Sequence, residues 1–130
     1  MHWTGRWLMR TFPDDFDCAD FVRCVLEEQF GQAIELPSTR AAGVRGRDAQ
    51  IAAGAGALAD PVDAPREGDG VLMRARGRQR SVGHHVGVWC EISGAPHVLH
   101  LLGTMRTPCL HQLADCARIG LETTGVYRWR

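Results

Sequence analysis

The 130-residue chain contains no lysine and carries no net charge, its fifteen basic residues matching fifteen acidic ones. Without a net field, nothing draws it onto nucleic acid or an anionic membrane, and neither is expected as a partner. The all-arginine bias carries no functional weight. No stretch of about eighteen apolar residues occurs, so no membrane span is encoded. The opening Met1 to Trp7 has no apolar core followed by a small-residue cleavage site, so no signal peptide is expected and the protein should be cytoplasmic when made. The five cysteines, Cys18, Cys24, Cys90, Cys109 and Cys116, are odd in number and lack extracellular disulfide spacing, which points to reduced thiols. There is no Cys-x-x-Cys pair and no convincing helical His-x-x-x-His, so neither a metal nor another cofactor is expected. Internal repeats and long linkers are missing too. What remains is an ordinary globular composition, 45% hydrophobic and 23% charged, which suits one domain over residues 1–130.

Two stretches read as loops, residues 31–45 with Pro37-Ser38-Thr39, and residues 59–70 with Pro61, Pro65 and Gly68-Asp69-Gly70. Before the first, Phe21, Val22, Val25 and Leu26 recur at helical spacing between Asp17 and Phe30, and Gly31 is placed as a C-terminal stop. Asp17 can cap this helix, with Asp20 as an acidic variant of the reciprocal capping-box partner. Between the loops, Arg47 to Leu58 could form a second helix, weakened by Gly54 and Gly56. From Gly70 onward the runs are short and β-rich: Val71–Met73, Val86–Cys90, His97–Leu101 and Gly125–Trp129. Glu91 to Pro96 supplies turn residues, so the runs on either side of it should pair. The expected fold class is α+β, a helix packed on an antiparallel sheet.

A thiol attacks a carbonyl well only as thiolate, and the first turn of a helix favours the anion through its unpaired N–H groups and dipole. Cys18 has that position. A single helical cysteine is more often plain core, so the case needs a base from the sheet. Val86, Val88 and Cys90 alternate with His85, Gly87 and Trp89, which puts His84 on the side of the valines and His85 on the side of Gly87. One of the two histidines should meet the sulfur across the helix-to-sheet contact.

Four segments follow one another in a familiar order: Asp17-Cys18-Ala19-Asp20-Phe21-Val22, Gly68-Asp69-Gly70-Val71-Leu72-Met73, His85-Val86-Gly87-Val88-Trp89 and Val98-Leu99-His100. Together they resemble the NlpC family of papain-like peptidoglycan hydrolases. The opening Trp3 to Gly5 and the closing Gly125 to Trp129 are similar to small tail-associated members from bacteriophages and prophages, so the resemblance spans nearly the whole chain. It implies a papain-like fold with Cys18 as nucleophile, His85 as general base and His100 orienting the imidazole. It also implies an amide of the peptidoglycan stem peptide as substrate, phage tail proteins as partners, and association with a virion tail that delivers the protein to the cell wall. One departure concerns activity, because Ala19-Asp20 stands where the family more often has Ser-Gly. A carboxylate pointing inward at Asp20 would oppose the thiolate, whereas pointing outward it caps the helix.

Asp17, Trp3 and Trp89 are candidate substrate contacts, although tryptophans in a small domain are more often core. Arg74, Arg76, Arg78 and Arg80 could meet an anionic wall polymer or a tail partner, or could form a solvated loop. Two rivals stand beside the enzyme. One is a zinc module built from His84, His85, Cys90, His97, His100, Cys109, His111 and Cys116, whose spacing is poor for zinc. The other is a non-catalytic tail protein that keeps the papain-like fold.

Overall fold

A computed structural model of the chain describes residues 2–36, 58–75, 84–102 and 105–130. The second helix expected over 47–58 falls almost entirely outside these residues, as do Arg76, Arg78 and Arg80. The described part is α+β. Two helices, α1 (Thr4–Leu8) and α2 (Cys18–Phe30), precede six strands: β1 (Ala59–Pro61), β2 (Gly70–Ala75), β3 (His84–Ile92), β4 (Ala95–His100), β5 (Cys109–Gln112) and β6 (Leu121–Trp129). A 3-10 segment, Leu113–Ile119, links the last two. The strands form one antiparallel sheet in the order β1-β6-β2-β3-β4-β5. No helix among the described residues is long and apolar enough to cross a membrane.

The helix α2 begins and ends where its sequence says. The Asp17 carboxylate accepts from the Asp20 N–H at 2.9 Å, and the Asp20 carboxylate accepts from the Asp17 N–H at 3.1 Å, a reciprocal capping box. Gly31 closes the helix in the left-handed region at φ 64°, a conformation that costs glycine nothing. Arg23 then holds the other Asp20 oxygen at 2.8 Å and reaches the Leu36 carbonyl at 2.6 Å. Asp20 therefore makes the capping bond anticipated for it, but from a buried position, 2% exposed, and not pointing outward as that role implied; Arg23 and the helix start take its two oxygens.

The hairpin between β3 and β4 is tighter than the sequence suggested. Strand pairing persists to Ile92↔Ala95, leaving only Ser93 and Gly94 in the turn, at φ 54° and 80°. Two successive positive φ angles match the right-handed twist of the flanking strands, which is why this connection needs only two residues. β1 falls inside the stretch expected to be a loop. Its three residues pair with β6 from Ala59↔Trp129 to Pro61↔Tyr127, and proline is tolerated there because β1 is an edge strand.

Strand alternation gives the sheet two apolar faces. On one, Leu72, Val86, Val88, Leu99 and Trp129 pack with Cys18, Phe21, Val22, Val25 and Leu26 of α2, joined by Trp7 and Phe12. On the other, Val71, Met73, Trp89 and Val98 pack with Cys116 of the 3-10 segment and Leu121. The Gly68-Asp69-Gly70 turn fastens these strands together. The Asp69 carbonyl accepts from the Trp89 N–H at 2.7 Å, and its buried carboxylate receives Arg128 Nε at 3.1 Å and Nη2 at 2.9 Å, besides the Arg66 N–H at 2.9 Å.

Candidate active site

Three of the chain's histidines form a chain across neighbouring strands. His85 on β3 shares a hydrogen bond through Nε2 with Nδ1 of His100 on β4, at 2.8 Å. His100 shares its Nε2 with Nδ1 of His111 on β5, at 2.9 Å. The ring centroids are 5.0 and 5.1 Å apart and the rings cross steeply, at 60° and 77°. His85 and His100 are buried, 2% and 0% exposed, whereas His111 is partly exposed. Burial lowers the pKa of His85 to about 4. His100 is held well below its usual value by burial and then by its two imidazole neighbours, since a proton on either repels another on His100. Both inner rings are therefore neutral at pH 7.

Gly87 makes room for this pairing. A Cβ there would meet Val98 Cγ2 inside contact distance, with His100 Cβ at 3.0 Å and the Leu99 carbonyl oxygen at 3.1 Å, so β4 can lie close only because Gly87 has no side chain. Gly87→Ala should cost about 1–3 kcal/mol through overpacking and push His100 away from His85. Urea unfolding checks this, and a substitution with no effect on the midpoint would show that β4 shifts freely.

Cys18 is the first residue of α2, in the helical turn whose N–H groups lie outside the helix's own hydrogen-bond ladder. It is buried, 6% exposed, in the cluster that holds Val86 and Val88. His84 shares their parity on β3, while His85 belongs to the alternate face with Gly87 and Trp89, as the sequence pattern indicated. The Nε2 hydrogen bond of the His85 ring goes to His100. His85 and His100 come together as expected, and Cys18 occupies the expected helical turn.

The candidate substrate contacts each have partners within the fold. Trp89 is buried in the second apolar cluster. Asp17 is occupied in the helix cap. Trp3 packs edge-on against Phe30 at 5.2 Å and donates its indole N–H to Glu67 at 3.0 Å. His111 is the residue whose part in the site sequence reasoning missed, since it entered only as a possible zinc ligand. Its strand, Cys109–Gln112, is four residues long and shows no apolar alternation; the one usable signal was a histidine at the second position after Cys109. Among the described residues no three His, Cys, Asp or Glu side chains are grouped to hold a metal ion. In the imidazole chain the facing nitrogens are already spent on one another.

The other four cysteines sit in surroundings that suppress the thiolate. Burial, reinforced by Glu28, pushes Cys24 up to about 11, and burial pushes Cys90 up to about 12. Burial also raises Cys109 and Cys116.

Compared with known proteins, the chain matches no family model, no curated protein and no solved structure.

Proposed function

We propose that this protein is a papain-like cysteine hydrolase that cleaves an amide bond in the stem peptide of bacterial peptidoglycan, in the manner of the NlpC family, and that it acts from a phage or prophage tail. The observation that carries the reading is the buried 2.8 Å bond between His85 Nε2 and His100 Nδ1. It spends one nitrogen of His85 on an orienting partner and leaves Nδ1 to act as base, the division of labour a Cys-His-polar triad requires. Cys18 at the start of α2 supplies the nucleophile in the turn where N–H groups favour an anion. In the cycle, His85 Nδ1 takes the thiol proton as sulfur attacks the carbonyl. First-turn N–H groups hold the oxyanion, and the imidazolium returns its proton to the leaving amine before water releases the acyl group. The thiol–imidazole contact tightens in the Michaelis complex, as catalytic hydrogen bonds do.

The thiol reactivities test this. Iodoacetamide at pH 6 should label Cys18 well before Cys24 or Cys116, and His85→Ala should slow that labelling. The Cys24 thiol, pushed up to about 11, and the Cys116 thiol, raised by burial, contribute almost no thiolate at that pH. Equal labelling rates would refute an activated Cys18.

The placement of His85 on the alternate face from Val86 and Val88 favours a second reading, a non-catalytic tail component that keeps this fold for assembly. It predicts slow Cys18 alkylation that does not respond to replacement of His85.

A further inference from the structure

We propose that His111 is the outer end of a three-imidazole proton relay and a positioning residue for His85, an inference that rests on the hydrolase reading. Three neutral imidazoles joined by two N···N hydrogen bonds have one proton each and only two collective arrangements. In one, His85 Nε2–H donates to His100, His100 Nε2–H donates to His111, and His111 carries its proton on Nε2, so His85 Nδ1 holds a lone pair. In the other, every proton sits on Nδ1, His85 Nδ1 is a donor, and the base is lost. Accepting a bond from His100 at Nδ1 is therefore how His111 selects the basic form of His85 two strands away.

The same chain moves charge. When His85 Nδ1 takes the thiol proton, the Nε2 proton of His85 can pass to His100 Nδ1, and the Nε2 proton of His100 to His111 Nδ1. One proton has entered at His85, none has left, and the single positive charge rests on His111. That ring is partly exposed, while His85 and His100 are shut away from water. The cation thus settles where solvent reaches it, and the reverse passage returns the proton to His85 Nδ1 for the leaving amine. Burial, which holds His85 near 4, is the barrier this route bypasses. The titratable and charged groups on the elements packed against β5 are His97 and His100 of β4, and Asp115, Cys116 and Arg118 of the 3-10 segment. Of these, His100 is the one hydrogen-bonded to His111 among the described residues.

Nitrogen-15 NMR of the imidazoles in the intact chain gives a readout independent of activity. At pH 7, His85 and His100 should both carry their protons on Nε2. A proton on His85 Nδ1 at pH 7 would overturn the relay. With purified peptidoglycan, His111→Phe should lower kcat by about tenfold or more at unchanged KM and displace the acid limb of the pH profile. His111→Gln can still accept from His100 through its amide oxygen but cannot pass a proton, so it should restore the wild-type His85 tautomer without restoring kcat. Wild-type kcat in His111→Phe refutes the relay and leaves the hydrolase standing. The expected spectra from a wild type that releases no fragment refute the hydrolase and leave the imidazole chain standing.

Discussion

Replacing Asp69 by Ala is expected to destabilise the fold by about 3 kcal/mol, among the largest single-residue effects outside the apolar core. The carboxylate is buried, 4% exposed at its side chain, and accepts three hydrogen bonds, two from the Arg128 guanidinium in a fork and one from the Arg66 N–H. Bonds to a charged acceptor are worth roughly twice neutral ones, and their loss leaves the Arg66 N–H unpaired in a partly buried turn. Arg128 is a third exposed and can turn to water, which keeps the cost below that of breaking a fully buried pair. The turn that Asp69 fixes also delivers its carbonyl to Trp89 N–H, so the substitution loosens the junction of β2, β3 and β6. Urea unfolding should show a lower midpoint with an unchanged slope. A loss under about 1 kcal/mol would mean that the ion pair is as expendable as a surface one.

Acid should unfold the protein earlier than its carboxylates alone would dictate. In the unfolded chain a histidine titrates near 6.5, but in the folded protein His85 stays neutral to about 4, and His100 is shifted in the same direction. Below pH 6.5 the unfolded state therefore binds protons that the folded state refuses. The stability held above that pH is lost as pH falls through the window from 6.5 to about 4. His85 alone should account for about 2 kcal/mol between pH 7 and pH 5, a range in which few carboxylates titrate, and His100 adds to it. Urea midpoints at the two pH values, in wild type and in a His85→Gln, His100→Gln double variant, separate this contribution. The variant should lose most of the dependence. A flat wild-type profile over that range would show that the pair is protonated or hydrated in the folded state.

The helix α2 was legible because every local signal agreed: cap residues at Asp17 and Asp20, an apolar stripe through Phe21, Val22, Val25 and Leu26, and a glycine stop at Gly31. The cores of β2, β3, β4 and β6 were legible from their apolar alternation or continuous runs. β1 and β5 were not, because a three-residue edge strand containing Pro61 and a four-residue strand of mixed polarity owe their form to the partners they bond, Trp129 to Tyr127 and His97 to His100. The five-residue α1 was missed for a similar reason, since it has no capping side chain and is held by burial of Thr4 and Trp7. In the site, parity along β3 correctly separated His84 from His85, and the pairing of His85 with His100 was anticipated. His111 was not, because only the β4–β5 register brings it to His100.

The hydrolase reading is tested most directly by digesting purified peptidoglycan with the wild-type protein and with Cys18→Ala, then identifying released fragments by mass spectrometry. The wild type should release peptides with one new amine and one new carboxylate at a single type of stem-peptide amide bond, and Cys18→Ala should release none. Equal fragment release by the two proteins, or none by the wild type, would contradict a cysteine hydrolase acting through Cys18.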